Sequence, residues 1–377
     1  MTTPRILFYT HGLVDGGGER LWACLASSFK QRGYDVIFAQ DFEADENKHN
    51  LDPSIPLHTL GRNHIAATRR LAQLLRDEKP DVALSAIGGS NLKLLLASAL
   101  SRAATLPVIT YHGEMEWKTG WLSYFSYAGL PLLSRWATRT VAVSDGLAYL
   151  LNTKWRANRR RMVTIFNPVF FPRDVQIPTP DGLAERENLV LSVGRLVPEK
   201  DYLTLVRAFA RLKTANARLV ILGKGPEQHR IEAEIRKLRL EGRVLLPGYV
   251  KEPWTVYQSA KCFVSSSNSE PFGNVVVEAM AYGLPVVATA CSGPHHILDH
   301  GTYGRIVGIG NHVQLAQAVD ATLAHPGDPA QRRQRAEEFS FEARVPAYES
   351  LIREILLEAH KAGGETVPVP VNSETSP

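Results

Sequence analysis

Short apolar runs typical of buried strands alternate with amphipathic helical segments along most of this chain. The runs at Arg5–Tyr9 and Asp81–Ser85 each precede a helical segment, and a second series of the same kind begins at Leu189–Val193. Repeated strand–helix units predict parallel sheets covered by helices on both faces. The two series are separated by a stretch rich in proline and charge that lacks periodicity and indicates a linker. The sequence therefore predicts an α/β protein with two doubly wound, Rossmann-like domains.

The domain boundaries follow from this pattern. Residues 1–170 are predicted to form a first domain, residues 171–187 a linker, and residues 188–340 a second domain. Residues 341–361 are predicted to form a helix that packs back on the first domain, and the proline-, serine- and threonine-rich residues 362–377 a disordered tail. A chain of 377 residues is long enough to close two such cores. Doubly wound sheets bind ligands outside the carboxyl ends of their strands, so the informative loops are those that follow strands.

Composition and charge narrow the class of protein. A hydrophobic content of 44 % with 21 % charged residues is ordinary for a soluble globular protein. The net charge of +5 is too small to indicate a nucleic-acid partner, but it is compatible with anionic ligands or an anionic membrane surface. The three cysteines are far apart and odd in number, which favours a reducing compartment. Because no signal peptide or membrane-spanning run is evident, we expect a cytoplasmic protein, or one held peripherally on the cytoplasmic face of a membrane.

The stretch from Glu270 to Met280 contains two carboxylates eight positions apart. Glu270 lies in a polar loop, whereas Glu278 lies in a helix that is apolar on nearly every face and is predicted to be buried. A buried carboxylate needs a hydrogen-bonding partner, and the diol of a ribose or hexose would supply one. We expect the helix to begin at Gly273 and Asn274, where free N–H groups favour a phosphate. A diol acceptor beside an anion site predicts a nucleotide-sugar site.

Loops of the second series offer further candidates. Arg195 and Lys200 follow the first strand of that series, and a fork-shaped cation beside a point-like one suits a diphosphate. Lys224 is a weaker candidate of the same kind. Tyr249 and Val250 follow a short strand, where their backbone groups are placed to pair with the edge of a base.

Three loops of the first series complete the set. Gly16, Gly17 and Gly18 at a strand-to-helix turn would let the backbone approach a phosphate or sugar, although a flexible turn explains them equally well. Their spacing is not a dinucleotide fingerprint, and no Walker lysine follows. His112 directly follows a strand and precedes a glycine, so we expect it to face a cleft. Ser144 follows another strand and is expected to cap a helix.

A metal site is not indicated. Cys291, His295 and His296 are close in sequence, but their spacing matches no metal motif, so a cleft loop is the favoured interpretation. The sequence contains no Asp-x-Asp pair that would hold Mg²⁺ on a diphosphate. We therefore expect neither a metal nor a cofactor, with Arg195, Lys200 and a helix dipole holding the diphosphate instead.

Aromatic and basic residues cluster in the first series. Four aromatic residues keep roughly helical spacing, namely Trp117, Trp121, Tyr124 and Phe125. The basic run Lys154–Arg161 follows them, and aromatic side chains beside basic ones favour a membrane interface. An aromatic core helix with a solvated basic turn is an equally good explanation. If this region binds an acceptor, Arg62, Trp117 and Trp121 are the candidate contacts.

Taken together, these residues resemble the retaining glycosyltransferases of family 4, which have the GT-B fold of two Rossmann-like domains facing across a cleft. The resemblance rests on Glu270-x7-Glu278 with its Pro-Phe-Gly, and on Val-Gly-Arg-Leu followed by Glu-Lys-Asp up to Asp201. The Gly-Gly-Gly-Glu-Arg turn and the Asn-Pro-Val that begins at Asn167 also match. The similarity extends over nearly the whole chain up to the final helix.

The resemblance implies a role for each candidate. The donor diphosphate would be held by Arg195, Lys200, Gly273, Asn274 and Val275. The ribose would bind Glu278, and the base would bind Tyr249 and Val250. The catalytic residues beside the donor sugar would be His112 and Glu270, while Gly16, Gly17 and Gly18 would close on phosphates or acceptor. Transfer would retain the anomeric configuration by a front-face route in which the leaving phosphate helps to deprotonate the acceptor, with double displacement left open.

The resemblance also suggests the substrates. The form Cys-Ser-Gly-Pro-x-x-Ile-Leu favours a UDP-sugar donor of a hexose or N-acetylhexosamine, with GDP-mannose as the alternative. His296 stands where many relatives have glutamate, so specificity is expected to differ if this residue contacts the donor or the acceptor. The acceptor would be a glycan or a polyprenyl- or other lipid-linked glycan, in cell-surface polysaccharide, lipopolysaccharide or glycolipid synthesis. The alternatives are a catalytically silent nucleotide-sugar-binding scaffold and an epimerase or phosphorylase of the same fold. A silent scaffold would not need all four of the intact residues Glu270, Glu278, Arg195 and Lys200. An epimerase would need different acid–base residues and a phosphorylase commonly a cofactor lysine or other phosphate site, and neither pattern is evident.

Overall fold

The protein is described by a computed structural model that covers residues 3–14, 17–44, 46–114, 118 and 120–362. Within these residues, thirteen strands form two separate sheets in which all strand pairs are parallel. The first sheet has the order β3-β2-β1-β4-β5-β6-β7, and the second has the order β10-β9-β8-β11-β12-β13. In both sheets the strand order reverses beside the first strand, which is the doubly wound topology. The predicted pair of Rossmann-like domains is confirmed.

The first sheet and its helices occupy residues 5–164. The strands are β1 (Arg5–Thr10), β2 (Asp35–Gln40), β3 (Leu57–Thr59), β4 (Val82–Ala86), β5 (Leu106–Tyr111), β6 (Arg139–Ala142) and β7 (Met162–Thr164). The helices are α1 (Gly17–Gln31), α2 (His64–Glu78), α3 (Gly88–Ser101), α4 (Trp121–Ala128), α5 (Leu130–Trp136) and α6 (Asp145–Thr153).

The second sheet and the remaining helices follow. The strands are β8 (Leu189–Val193), β9 (Arg218–Leu222), β10 (Val244–Gly248), β11 (Cys262–Ser265), β12 (Val286–Thr289) and β13 (Arg305–Val307). The helices are α7 (Pro180–Ala184), α8 (Tyr202–Phe209), α9 (Gln228–Lys237), α10 (Trp254–Ser259), α11 (Asn274–Ala281), α12 (Ser292–Ile297), α13 (His312–Ala324), α14 (Pro329–Glu337) and α15 (Phe341–Ala362).

The sequence pattern missed elements that are too short to show a period. The strands β3, β7 and β13 have three residues each and lie at sheet edges, so none carries an apolar run. The predicted linker contains the short helix α7, which the side chain of Thr179 caps by accepting a hydrogen bond from the Gly182 N–H. Ser144 caps α6 in the same way, as predicted. The domain boundaries themselves stay predictions.

The last helix lies against the first sheet although it follows the second. Val345, Tyr348 and Ile352 are buried in the same apolar cluster as Phe8 and Trp22. Just before this helix, the Phe339 carbonyl accepts a backbone hydrogen bond from the Val169 N–H. This contact brings the returning chain close to the point where it first leaves the first sheet. The first sheet therefore depends for part of its core on helix α15, which follows the second sheet in the chain. The predicted tail, 362–377, falls outside the described residues except for Ala362, which ends this helix.

Candidate functional site

A cleft of about 190 Å³ lies between the two sheets, at the carboxyl ends of their strands. Its lining includes many of the predicted residues from both halves of the chain: Gly17, Arg195, Lys224, Tyr249, Val250, Asn274, Val275 and Glu278. Gly18 and Gly273 are neighbours of this lining in sequence. Among the described residues, His112, Glu270 and Lys200 are not part of it, and Gly16 lies outside the residues that the structure describes.

Helix α11 places the buried carboxylate in this cleft. Its N-cap is Gly273, whose φ of +103° lies in the left-handed region that favours glycine. Glu278 is only 8 % exposed, as its apolar surroundings predicted. The hydroxyl of Tyr257 donates a hydrogen bond to its Oε2 at 3.0 Å, and Arg20 Nη1 lies 3.6 Å from its Oε1. The protein thus supplies two partners for a carboxylate for which the sequence suggested a substrate diol.

Burial and these two partners act on the carboxylate in opposite directions. Burial is the largest influence and raises the pKa of Glu278, whereas the charge of Arg20 and the hydrogen bond from Tyr257 lower it. Arg20 lies on α1 of the first half and Glu278 on α11 of the second, so a residue of one half stabilises the charged form of a residue of the other. Sequence reasoning assigned Arg20 no role, although its place at the end of the Gly-Gly-Gly-Glu-Arg turn was a usable signal.

Two cations follow adjacent strands of the second sheet. Gly194 and Gly223 bring the ends of β8 and β9 together, since a Cβ atom on Gly223 would lie 1.9 Å from the Gly194 carbonyl oxygen. Arg195 and Lys224 follow these glycines and both line the cleft. Within the described part of the chain, the exposed guanidinium of Arg195 has no hydrogen-bond or ion-pair partner. It is therefore free to receive an anion.

Lys200 is paired differently. Its Nζ forms an ion pair and hydrogen bond with Glu270 Oε2, and both side chains are largely buried. The predicted diphosphate cation and the predicted sugar-facing carboxylate thus neutralise each other in this structure. The position of Glu270 is also set through its backbone, because its carbonyl accepts a hydrogen bond from the Gly293 N–H at 3.0 Å.

His112 lies at the end of β5, beneath α1. Its Nε2 is 2.9 Å from Thr110 Oγ1, and its ring centroid is 5.8 Å from that of Trp22. Burial lowers the pKa of His112 to about 4. At neutral pH the imidazole is therefore uncharged, so it can exchange a hydrogen bond with a sugar hydroxyl but cannot supply a positive charge.

Glu114 connects the two halves of the molecule near Glu270. Its carboxylate accepts hydrogen bonds from Ser269 Oγ at 2.6 Å and from Ser292 Oγ at 3.1 Å, both of the second half. Burial raises the pKa of Cys291 to about 11, and the nearby carboxylates of Glu270 and Glu114 act in the same direction. The carboxylates of Glu114 and Glu270, one from each half, therefore both lie near Cys291. Sequence reasoning assigned Glu114 no role, because its partners are distant in sequence.

The residues of the rejected metal motif have other contacts. Cys291 Sγ donates to the Ser267 carbonyl at 3.1 Å, and the His296 ring stacks on Phe166 at a centroid distance of 4.2 Å. Burial, and to a lesser extent Arg335, lower the pKa of His296. In the part of the chain that the structure describes, no group of three potential metal ligands occurs.

The aromatic residues of α4 lie on the surface of the first half. Trp121, Tyr124 and Phe125 are 62 %, 47 % and 55 % exposed, so the interpretation of this helix as an aromatic core is wrong for all three. The ring centroids of Trp121 and His64 are 5.9 Å apart, and the guanidinium of Arg62 lies 5.0 Å from the Phe42 ring centroid. Trp117 lies outside the described residues.

Two facing doubly wound domains, with cations and a buried carboxylate at the strand ends between them, define the class of GT-B glycosyltransferases. Residues 15–170 match the family described as Glycosyltransferase Family 4, and residues 176–339 match the one described as Glycosyl transferases group 1. The chain belongs to the family 4 type of GT-B glycosyltransferases, as the sequence motifs indicated.

Individual relatives match parts of the chain. The lipopolysaccharide core biosynthesis glycosyltransferase LpsE of Rhizobium meliloti is 34 % identical over 169 residues, which is 44 % of this chain and 49 % of that protein. The N-acetylgalactosamine-N,N'-diacetylbacillosaminyl-diphospho-undecaprenol 4-alpha-N-acetylgalactosaminyltransferase of Campylobacter jejuni is 35 % identical over 144 residues, 38 % of this chain and 39 % of that protein. The chain thus spans at most about half the length of these relatives.

A solved structure supports the fold over the full length. Anabaena HepE in complex with UDP superposes with a TM-score of 0.74 at 18 % sequence identity, covering 95 % of this chain and 100 % of that one. At this level of identity the similarity shows the fold alone.

Proposed function

We propose that this protein transfers a hexose or N-acetylhexosamine from a UDP-sugar to a lipid-linked glycan, with retention of configuration and without a metal ion. The observation that carries the proposal is the cleft in which buried Glu278 and unpartnered Arg195 lie together. A carboxylate accepts hydrogen bonds from a ribose diol, and an arginine fork receives a diphosphate. Tyr249 and Val250 line the same cleft and are placed to meet the base.

The donor class is supported by both the family and the fold. HepE, which has the same fold, binds UDP in its structure. LpsE is named for lipopolysaccharide core biosynthesis, and the Campylobacter relative for transfer to a diphospho-undecaprenol carrier. The UDP complex of HepE favours a UDP-sugar over GDP-mannose, and the names of the two relatives favour a glycolipid acceptor in cell-surface glycan synthesis over a free sugar.

The chemistry of transfer follows from the charged groups around the cleft. An acceptor oxygen forms a bond to the anomeric carbon while the bond from that carbon to the UDP oxygen breaks, and the leaving phosphate takes the acceptor proton. Negative charge that develops on the diphosphate is stabilised by Arg195, by Lys200 and by the first turn of α11. His112, as a neutral imidazole, orients the donor sugar together with the carboxylate of Glu270. Once a diphosphate binds, Lys200 is shared between the phosphate and Glu270.

A glycolipid acceptor is also supported by the surface of the first half. We name the exposed side chains of Trp121, Tyr124 and Phe125 the aromatic face. The next helix, α5, ends beside a basic turn, because Arg161 donates hydrogen bonds to the carbonyls of Arg135 and Ala137 at 2.7 Å. Exposed aromatic groups near a basic turn fit the interface of an anionic membrane. No helix in the described residues has the length and apolar character to cross a membrane, so contact through this face would be peripheral.

The donor assignment is tested by calorimetry with UDP, GDP and ADP, and then with their sugars, in the presence of EDTA. We expect UDP to bind, and Arg195→Ala to weaken its binding at least tenfold, since a charge-assisted contact contributes about 1.5–3 kcal/mol. Arg305→Ala, which removes an exposed arginine at the edge strand β13, is the matched control and should bind normally. Equal affinity in both variants would refute the assignment, and binding only with added Mg²⁺ would refute metal independence.

The same titrations separate the transferase from its alternatives. A silent scaffold would bind UDP-sugar but release no UDP when a lipid-linked glycan is added. An epimerase would convert the UDP-sugar without an acceptor, and a phosphorylase would need inorganic phosphate. Acceptor-dependent release of UDP is the result that the proposal requires, and an α-linked product from an α-linked donor is the result that retention requires.

The membrane contact is tested by flotation with vesicles of phosphatidylglycerol and phosphatidylcholine. Replacing Trp121 and Phe125 together by serine should reduce the bound fraction several-fold, because two exposed aromatic groups lose their interfacial contact. Ile309→Ser, which alters an exposed apolar residue of the second half, serves as control. Unchanged flotation of the aromatic variant would refute the membrane role of this face.

A further inference from the structure

Arg20 joins the two halves of the molecule at the proposed ribose site. It lies on α1, and its Nη1 is 3.6 Å from Oε1 of Glu278 on α11. Its guanidinium also lies 5.4 Å from the ring centroid of Trp254 and 5.9 Å from that of Phe170. The two aromatic rings and the Glu278 carboxylate together hold the Arg20 guanidinium in one place inside the cleft.

The groups that face Glu278 fall into two kinds. Tyr257 on α10 donates a hydrogen bond to Oε2, and Tyr282 lies close enough that the Glu278 charge, after burial, helps to raise the pKa of its hydroxyl to about 12. Both tyrosines are neutral at physiological pH. Arg195 and Lys224 line the same cleft. Among the described residues, however, Arg20 is the cation that lies within ion-pair distance of the Glu278 carboxylate.

A buried carboxylate without a cation tends to take up a proton, because burial disfavours the charged form. A protonated carboxyl group has lost part of its acceptor capacity and makes weaker hydrogen bonds to hydroxyl groups than a carboxylate does. The ability of Glu278 to hold a ribose diol near neutral pH therefore depends on what keeps it ionised.

We propose that Arg20 is a positioning residue of the donor site: it holds Glu278 in its charged form, oriented to accept hydrogen bonds from the ribose. The inference rests on the proposed function, because it assumes that Glu278 binds the nucleotide. It makes donor binding a joint property of both halves, since the carboxylate belongs to the second half and its cation to the first.

The test is the affinity for UDP, measured by calorimetry between pH 5.5 and 8.5. Because the terminal phosphate of UDP itself loses a proton within this range, each variant's affinity is expressed relative to wild type at the same pH. Arg20→Ala should bind UDP within about threefold of wild type at pH 8.5 but at least tenfold more weakly at pH 6, because the pKa of Glu278 is raised when its cation is lost. Arg20→Lys should keep a constant ratio to wild type across the range. Arg69→Ala, at an exposed arginine of α2, is the control and should match wild type.

A further variant identifies the titrating group. If Glu278 is the group that Arg20 acts on, the double variant Arg20→Ala, Glu278→Gln should bind UDP weakly, in a ratio to wild type that does not change with pH. An Arg20→Ala profile parallel to wild type would overturn the inference, as would tighter binding of UDP at every pH, which would show that the arginine merely occupies the ribose site. Wild-type protein with no affinity for UDP would instead overturn the proposed function, and the inference with it.

Discussion

Gly146 is the position at which one added methyl group should separate the two halves of this protein. It lies in α6 of the first half and faces Ser292 at the start of α12 in the second half. A Cβ atom at Gly146 would lie 2.3 Å from Ser292 Cβ and 2.8 Å from its Oγ. Carbon atoms that are not bonded pack at about 3.5–4.0 Å, so Gly146→Ala must move the two helices apart by more than about 1 Å.

The displacement should affect catalysis more than folding or donor binding. Alanine is the better helix former by about 1 kcal/mol, so α6 itself is not destabilised. The hydrogen bond between Ser292 and Glu114 would lengthen past its present 3.1 Å, and His112 would move relative to Glu270. A misplacement of about 1 Å in a reacting geometry can reduce the rate by about 10²-fold. We expect that loss in kcat.

The assay is the release of UDP from the UDP-sugar that the donor screen selects, with a lipid-linked acceptor, alongside calorimetry with UDP at pH 8.5. UDP affinity should change by less than about threefold at this pH, because its main contacts belong to the second half. Gly89→Ala is the matched control, since its added Cβ would meet its nearest neighbour at an ordinary 3.5 Å.

Rescue provides the stricter test of the geometry. Adding Ser292→Gly to Gly146→Ala removes the clashing Cβ and Oγ, and the nearest remaining atom is Ser292 Cα at 3.8 Å. The double variant should therefore recover most of the rate, short of what the lost Glu114 contact contributes. A wild-type rate in Gly146→Ala alone would show that the two halves do not approach this closely when the reaction occurs.

Further results are expected at three residues, His112, Ile352 and Lys93. In an NMR titration the His112 imidazole should stay neutral from pH 8 down to about 5 and titrate near 4, and a midpoint near 6.5 would contradict its burial. Because this pKa is lowered on folding, His112 favours unfolding as pH falls from about 6.5 towards 4, and His112→Gln should reduce that acid sensitivity. Ile352→Ala should destabilise the first half by about 2–5 kcal/mol in denaturant unfolding, against less than about 1 kcal/mol for the more exposed Leu357→Ala. Lys93→Met leaves Asp41 buried without its cation and should cost about 3–5 kcal/mol, more than the control Lys213→Met.

Much of the second half could be predicted from local pattern. The helix at Asn274–Ala281 has apolar residues on nearly every face, so its burial, and that of Glu278 within it, followed from the sequence. The positions of Arg195 and Lys224 at adjacent strand ends followed from the alternation of strands and helices, because parallel strands end at the same edge of a sheet.

Other features had no local signal. Strands of three residues are too short to show a period, so β3, β7 and β13 were missed. The spacing of Trp121, Tyr124 and Phe125 predicted one helical face but not whether that face is covered, because covering depends on what packs against it. The exposure of these rings is therefore a property of the tertiary structure and not of their spacing in the sequence.

The amino-acid sequence by itself determined the two doubly wound domains and which side chains stand at the ends of their strands, because both depend on periodicity and on neighbours in the chain. The tertiary structure alone decided how those side chains are paired. Arg20 meets Glu278, and Glu114 meets Ser269 and Ser292, between residues far apart in sequence and across two separate sheets. Such contacts depend on how the two domains are placed against each other, and no repeat or spacing within either domain specifies that placement.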